Sequence, residues 1–215
     1  GIIGPNGSGK STLVNAITGI TPISSGSIFF ANKDITNLQT WKRSRLGLAR
    51  TFQMLRLFKD MSVLDNLILA THPFMKTSIF KSFLGTNEVK IENKKNVKLA
   101  MSLLSKFELE QFSAEMVSSL SIGQQRMVEI ARGIITKPGI LILDEPAAGL
   151  SPHNVEKLIL LIKELRNEYN ITIVLVEHVM KVVRSVCDRI IVLEGGNIIA
   201  EGLPQDVTNL SLIHI

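Results

Sequence analysis

Three short segments of the sequence carry residue types that could bind or cleave a phosphate ester. The first is GPNGSGKS, residues 4–11, where glycines and small polar residues precede Lys10 and Ser11. Glycines let a loop wrap closely around an anion with several N–H groups pointing inward. In this G-x-x-x-x-G-K-[ST] spacing the lysine reaches the β- and γ-phosphates of a nucleotide and the serine hydroxyl ligates Mg²⁺. The segment therefore predicts a phosphate-binding loop.

The second segment is ILILDEP, residues 140–146, in which an aliphatic run ends at Asp144 and Glu145. An uninterrupted apolar run of this length predicts a strand buried on both faces. Such a strand delivers its last residues to the carboxyl edge of a parallel sheet, where ligands bind. Asp144 is then suited to hold Mg²⁺ through its water shell, and Glu145 to orient or deprotonate a water. A capped helix start without catalysis is the alternative for this acidic pair alone.

The third segment is LSIGQQR, residues 120–126, which is typical of a loop entering a helix. Ser121 and Gly123 would expose backbone N–H groups at that helix start, and helix N-termini bind anions. The sequence thus predicts two phosphate-binding loops in one chain, which requires an explanation.

The elements that must position these segments follow from periodicity and from cap residues. A helix is predicted over residues 10–18, and Gly19 ends it. A second helix is predicted to follow the Ser151-Pro152 pair, and a third to cover about 179–186. A capping-box pair, Ser62 with Asp65, opens a helical stretch that continues to about Thr136. Strands are predicted at 1–3, 27–30, 47–52, 139–143 and 171–176, followed by a hairpin over Gly195-Gly196.

Strands that alternate with helices indicate an α/β fold with a parallel sheet. The helical stretch in the middle third is an insertion into that fold. At 215 residues the chain is long enough for one domain with an appended subdomain. Its 45% apolar and 20% charged residues are ordinary for a globular protein.

Cysteine usage and charge narrow the class of protein further. The single cysteine, Cys187, excludes an internal disulfide and fits a reducing compartment. No apolar run approaches the ~18 residues that span a bilayer, and no signal peptide opens the sequence. The net charge of +5 includes two basic clusters, Lys42/Arg43/Arg45 and Lys90/Lys94/Lys95/Lys98. The second cluster predicts a solvated helix face, and nucleic-acid binding is the alternative, without the interleaved aromatics that would support it.

The three segments, with Gln53 and a histidine after a strand, resemble the ATP-binding subunits of ABC transporters. The resemblance covers residues 1 to about 209. The finer pattern ARTFQMLRLFKDMSVLDNLILATH, together with DEPAAGLSP, resembles the branched-chain amino acid importer branch. Urea and short-chain amide importers share much of it. The resemblance implies a P-loop NTPase (RecA-like) α/β core with a mainly parallel sheet and an inserted α-helical subdomain.

The resemblance also implies roles for individual residues. Gln53 would be the Q-loop glutamine that senses Mg²⁺ and the water, and His178 the switch histidine that holds the γ-phosphate. Residues 147–151 would form the D-loop at the subunit contact. The residues that would bind ATP are Gly4, Pro5, Asn6, Gly7, Ser8, Gly9, Lys10, Ser11, Thr12, Ser121, Gly123 and Gln124. Mg²⁺ would be bound by Ser11, Gln53 and Asp144. The catalytic residues would be Glu145, His178, Gln53 and Lys10.

The family's assembly explains the two phosphate loops. Two ATPase domains pair head to tail, so the LSIGQQ loop of one chain closes over the ATP held by the other chain. The partners implied are a second ATPase subunit, membrane permease subunits docked on the helical subdomain and, indirectly, a substrate-binding protein, but no nucleic acid. The location implied is the cytoplasmic face of the inner membrane. Ile122 and Val179 depart from the glycine and aspartate commonest in the family.

The resemblance predicts a domain division and two incomplete ends. The nucleotide-binding core would comprise residues 1–53 and 137–209, and the helical subdomain residues 54–136. Family members begin with strands that carry an adenine-stacking aromatic residue, and we expect those strands to be missing here. The last six residues, LSLIHI at 210–215, match the translation of a sequencing-library adapter. We interpret them as a non-native tail, the alternative being a short native apolar end.

Two other kinds of protein fit parts of the pattern. A soluble ABC ATPase that acts on nucleic acid or ribosomes has the same motifs, but its long coiled-coil insertion or second ATPase domain is not seen in the sequence. An inactive structural subunit is disfavoured by the intact Lys10, Asp144 and Glu145.

Overall fold

The computed structural model describes residues 1–75 and 86–208. Its elements are β1 (Ile2–Ile3), α1 (Lys10–Thr18), β2 (Phe29–Phe30), β3 (Lys33–Asp34), α2 (Thr40–Arg45), β4 (Leu48–Arg50), α3 (Val63–Thr71), α4 (Asn87–Lys106), α5 (Ile122–Ile134), β5 (Ile140–Asp144), α6 (Pro152–Tyr169), β6 (Thr172–Val176), α7 (Met180–Val186), β7 (Ile190–Glu194), β8 (Asn197–Gly202) and α8 (Pro204–Thr208). Part of the predicted helical stretch and the predicted non-native tail, 210–215, lie outside the described residues.

The largest sheet has six strands in the order β4-β5-β6-β1-β7-β8. All neighbouring strands in it are parallel except β7 and β8, which form the predicted antiparallel hairpin. The prediction of an α/β fold with a mainly parallel sheet is confirmed. Because β4, β5, β6 and β1 are parallel, the segments that follow them all leave the same edge of the sheet.

The sheet is covered by apolar packing on both faces, as its short central strand illustrates. Ile2 of β1 belongs to a buried cluster with Val14 of α1. The next residue, Ile3, belongs to a second cluster with Val183 of α7. Successive side chains of a strand point to opposite faces, so two residues are enough to tie β1 to both layers.

Three predicted helix ends are confirmed by their cap geometry. Gly19 ends α1 in the left-handed conformation with φ 76°, which glycine adopts without a Cβ clash. Ser62 begins α3 by accepting a hydrogen bond from the Asp65 N–H. Ser151 begins α6 in the same way, with Pro152 in the first turn. These signals are local, involving residues within four positions of each other.

The segment after α1 differs from its prediction. The expected strand over residues 27–30 is only Phe29–Phe30, and it pairs with β3 in a small antiparallel hairpin that was not predicted. The turn residues Ala31 and Asn32 have φ 48° and 61°. A left-handed alanine is uncommon, so the sequence offered no standard turn signal there.

One basic residue of the first predicted cluster is buried. Arg43 of α2 is 3% exposed, and its guanidinium donates to the backbone carbonyls of Ala16 and Ile17 near the end of α1. It also donates to the carbonyls of Thr36 and Leu38. The last carbonyls of a helix have no partner within the helix, so Arg43 completes α1 rather than forming a surface charge.

The chain divides into two compact units. One comprises residues 1–53 and 139–215, and the other residues 54–138. In the second unit α3 packs against α4 and α5, and its buried side chains include Leu67, Leu103 and Ile130. Within residues 1–75 and 86–208, no helix combines the length and apolarity needed to cross a bilayer.

Candidate functional site

The phosphate loop joins β1 to α1 through backbone that only glycine accommodates at its start. Gly4 has φ +150°, and a Cβ there would lie 2.1 Å from the Leu193 carbonyl oxygen. The loop ends at Gly9, which caps α1 with φ 100° and contributes no side-chain cap. The first-turn N–H groups of α1 are therefore directed at the loop without a side chain over them, which is the arrangement of an anion site.

Lys10 fills the centre of this loop. Its side chain is buried, and Nζ donates to the carbonyl oxygens of Gly4 at 2.7 Å and Pro5 at 2.9 Å. Burial lowers the Lys10 pKa, and the carboxylates of Glu145 and Asp144 oppose that shift. A phosphate group would supply the anionic acceptor that the loop carbonyls now replace.

The remaining predicted loop residues differ in access. Asn6, Gly7, Ser11 and Thr12 are exposed, so their N–H or hydroxyl groups can reach a ligand in solution. Ser8 is 2% exposed, and its Oγ lies 3.5 Å from Lys10 Nζ. Ser8 therefore supports the lysine from inside the loop.

Asp144 ends β5 and is held in a buried ion pair. Its Oδ2 lies 2.7 Å from Arg50 Nη2, and both side chains are less than a tenth exposed. The Asp144 N–H also donates to the Thr51 hydroxyl. The other Arg50 nitrogen, Nη1, donates to Asn15 Oδ1 at 2.6 Å. Arg50 thus connects the Asp144 carboxylate to α1, a contact for which the sequence carries no local signal.

Glu145 is the point at which three predicted residues meet. Gln53 Nε2 donates to Glu145 Oε2 at 2.8 Å. His178 Nε2 lies 2.9 Å from Glu145 Oε1, and since a carboxylate only accepts, the imidazole tautomer protonated on Nε2 donates there. Residues from the ends of β4, β5 and β6 therefore converge on one carboxylate.

The Glu145 backbone is held in an uncommon conformation. Its φ of 49° lies in the left-handed region, and its N–H donates to the Val176 carbonyl oxygen at 2.8 Å. A non-glycine residue in this region costs on the order of 1–3 kcal/mol, and such residues cluster at functional sites. This left-handed conformation turns the backbone at Glu145 away from the direction of β5.

The donor set beside the loop suits a hard cation. Ser11 offers a hydroxyl, Gln53 an amide oxygen and Asp144 a carboxylate, and Mg²⁺ prefers oxygen ligands completed by waters and substrate phosphates. A carboxylate has about four lone-pair sites, and the Arg50 bond uses one of those on Asp144. The residues therefore fit the ion.

The second predicted anion loop lies at the start of α5, in the other unit. Ser121 Oγ accepts from the Gln124 N–H, and Gln124 Oε1 accepts from the Ser121 N–H, so the two residues form a capping box. Ser121 is exposed and Gly123 half-exposed. The Ser121 N–H, one of the two N–H groups expected to bind an anion, thus already has an acceptor within the loop, as does the Gln124 N–H.

Two residues of the site were missed from the sequence. Arg50 pairs with Asp144, and Glu177 accepts a hydrogen bond from the backbone N–H of His178. The available signals were an arginine at the end of a strand and an acid between an apolar strand and His178. Each signal also fits a surface residue. Only the burial of Arg50 and Glu177 in the structure shows that they are not surface residues.

The fold and this geometry define a P-loop nucleotide-binding protein. A strand, a glycine-rich loop with its lysine and a helix are followed by an acidic pair at the carboxyl edge of a parallel sheet. The chain belongs to the ABC transporter family, whose family model matches residues 1–148. It is therefore an ATP-binding cassette, as its motifs predicted.

Curated relatives agree with the predicted branch. The high-affinity branched-chain amino acid transport ATP-binding protein LivG of Escherichia coli is 40% identical over 208 residues, covering 97% of this chain and 82% of that protein. The corresponding protein BraF of Pseudomonas aeruginosa is 39% identical, covering 96% and 81%. A probable LivG of Archaeoglobus fulgidus is 36% identical, covering 97% and 79%.

Solved structures confirm the predicted fold. The ADP conformation of an ATP-binding cassette of an ABC transporter has a TM-score of 0.79 and 34% identity, covering 97% of this chain and 81% of that chain. A dimeric post-hydrolysis state of an ATP-binding cassette bound to ADP and Pi has a TM-score of 0.80 and 29% identity, covering 94% and 84%.

The buried Arg50–Asp144 pair gives the first prediction. Arg50→Ala leaves the Asp144 carboxylate buried without its cation, so the free energy of unfolding should fall by about 3–5 kcal/mol. Arg166→Ala is the control, because it removes an exposed pair with Asp188 and should cost ~0–1 kcal/mol. Urea unfolding followed by circular dichroism measures both. Equal effects of the two variants would contradict the structural role of Arg50.

Proposed function

We propose that the chain is the ATP-hydrolysing subunit of an importer of branched-chain amino acids. The observation that carries the hydrolytic part is Glu145, which accepts hydrogen bonds from both Gln53 and His178. The names of the relatives from Escherichia coli and Pseudomonas aeruginosa support the choice of substrate.

The phosphate loop binds the triphosphate of ATP in this proposal. Its N–H groups and the start of α1 surround the β-phosphate, while Lys10 exchanges the Gly4 and Pro5 carbonyls for phosphate oxygens. Ser11, Gln53 and Asp144 would hold Mg²⁺, which would neutralise phosphate charge when bound. Arg50 fixes the Asp144 carboxylate by occupying Oδ2.

In this proposal Glu145 exchanges one of its two present hydrogen bonds for a bond to water. Each of its oxygens accepts a hydrogen bond, one from Gln53 and one from His178. When His178 turns to the γ-phosphate, Oε1 is freed to orient a water and accept its proton. The water oxygen bonds to the γ-phosphorus as the bond to the ADP oxygen breaks, and positioning with charge stabilisation supplies most of the catalysis.

Two chains pair head to tail in this proposal, and the loop at Ser121 completes the partner's ATP site. The capping box keeps the Ser121 and Gln124 N–H groups satisfied in the single chain. The Ser121 hydroxyl and the first-turn N–H of Gly123 then provide the contacts to a phosphate held by the other chain. ATP would thus close the dimer and hydrolysis would release it.

In this proposal the core and the helical subdomain have different functions. The core predicted from the sequence, residues 1–53 and 137–209, binds the nucleotide, and the predicted helical subdomain, residues 54–136, docks on membrane permease subunits. The working position is peripheral, on the cytoplasmic face of the inner membrane. A substrate-binding protein acts through the permease and does not touch this chain.

Transport is the direct test of the substrate class. We expect the chain, co-reconstituted in vesicles with its permease partners, to drive ATP-dependent uptake of labelled leucine. Labelled urea and acetamide are the competing substrates, and the Glu145→Gln chain is the inactive control. Uptake of urea in place of leucine would contradict the amino acid assignment, whereas wild-type uptake by the Glu145→Gln chain would contradict its coupling to hydrolysis.

A further inference from the structure

Glu177 is a buried carboxylate to which neither the motifs nor the proposed hydrolysis assigns a role. It follows the last residue of β6 and precedes His178 in the sequence. Its residue exposure is 2%. A carboxylate removed from water to this extent is strongly destabilising unless hydrogen bonds compensate for the lost hydration.

The compensation comes from three backbone N–H groups on two different loops. Glu177 Oε1 accepts from the Ala147 N–H at 2.7 Å. Its other oxygen, Oε2, accepts from the N–H groups of His178 at 3.0 Å and Val179 at 3.2 Å. One side chain therefore joins the loop that follows β5 to the loop that follows β6.

The joined positions lie next to the residues that carry the site. Ala147 is two residues after Glu145, whose φ is 49°, and His178 is itself one of the N–H donors. The Glu145 Oε1 to His178 Nε2 separation is 2.9 Å. A shift of either loop would change that separation directly, because the two side chains hang from the segments that Glu177 holds.

We propose that Glu177 is a positioning residue that sets the geometry of Glu145 against His178 by tying the two loops together. The inference rests on the proposed hydrolysis for its kinetic consequence. It also accounts for Val179: the backbone N–H of this exposed residue is held by Glu177, so the loop after β6 is ordered without an acidic side chain at position 179.

Two substitutions separate the tie between loops from the local bonds. Glu177→Asp shortens the side chain by one methylene. The aspartate can still accept from Val179 in an Asx-type turn but no longer reaches Ala147. Glu177→Gln keeps the length, but its NH₂ group cannot accept, so one of the two loops loses its bond. Glu156→Gln is the matched control, since Glu156 is an exposed carboxylate bonded to Lys181.

Amide exchange tests the tie without reference to catalysis. In the Glu177→Asp chain we expect deuterium exchange at the Ala147 amide to accelerate about tenfold or more, while the Val179 amide stays protected. The Glu156→Gln chain should exchange like the parent. Unchanged exchange at Ala147 in the Glu177→Asp chain would overturn the proposal.

Kinetics test the consequence for the site. A misplacement of about 1 Å costs on the order of 100-fold in rate, so Glu177→Asp should lower kcat by roughly 10–100-fold while the KM for ATP stays within about twofold. In a His178→Ala background the same substitution should have little further effect, because the geometry it protects is already lost. An equal loss in both backgrounds overturns the positioning role. A parent chain without ATPase activity contradicts the proposed function instead, and the exchange result still decides the tie.

Discussion

The Glu145→Gln chain is expected to bind ATP and to hydrolyse it about 10²–10⁴-fold more slowly than the parent. The substitution preserves the size of the side chain, so the neighbouring loops have no steric reason to move. A glutamine amide cannot take a proton from water. It also presents an NH₂ group to either Gln53 or His178, and that partner keeps a hydrogen bond only by turning its amide or changing its tautomer.

Phosphate release at saturating ATP measures the rate, and nucleotide titration measures binding. The slow chain should accumulate as an ATP-bound dimer on size-exclusion chromatography. Glu156→Gln is the control for loss of one carboxylate, because Glu156 is an exposed residue of α6. Turnover at the parent rate in the Glu145→Gln chain would remove Glu145 from the reaction.

Mixing two inactive chains should restore ATP hydrolysis. Lys10→Ala removes the ammonium from the phosphate loop. Ser121→Asp keeps an N-cap acceptor for α5 but sets a negative charge against the partner's phosphates. Each homodimer has two faulty composite sites and should hydrolyse less than about a hundredth of the parent rate. A heterodimer has one site with both loops intact, and activity should return there.

A cross-link tests the same arrangement without relying on turnover. Ser8 is 2% exposed, so a cysteine replacing the exposed Asn6 is the better partner for one at position 121. Cys187 is half-buried and is replaced by serine in this background. We expect ATP to promote a disulfide between chains, seen as a dimer on a non-reducing gel. An ATP-promoted bond within one chain would disprove the head-to-tail arrangement.

The helix ends could be predicted from the sequence because the interactions that set them are local. Ser62 and Ser151 each accept an N–H three residues further on, and Gly19 needs only its own left-handed conformation. The β2–β3 hairpin could not be predicted, because Ala31 and Asn32 turn the chain with positive φ and alanine is not a turn residue that favours this conformation.

The environment of individual charged residues was the hardest property to predict from the sequence. Lys42, Arg43 and Arg45 form one basic cluster, yet Arg43 is buried on the carbonyls that end α1. Arg50 had no predicted role and holds Asp144. Whether an arginine faces water or a buried carbonyl depends on which element packs over it. The residues next to it in the sequence do not indicate which element that is.

The sequence by itself determined the phosphate loop, its lysine, the acidic pair and the start of α5, because each depends on spacing within about eight residues. Tertiary structure alone decided how they combine. Gln53 and Glu145 are 92 positions apart, Arg50 and Asp144 are 94 apart, and Ala147 and Glu177 are 30 apart. These pairs meet because the parallel order β4-β5-β6-β1 brings the carboxyl ends of distant strands to one edge, where side chains and N–H groups from separate loops satisfy each other.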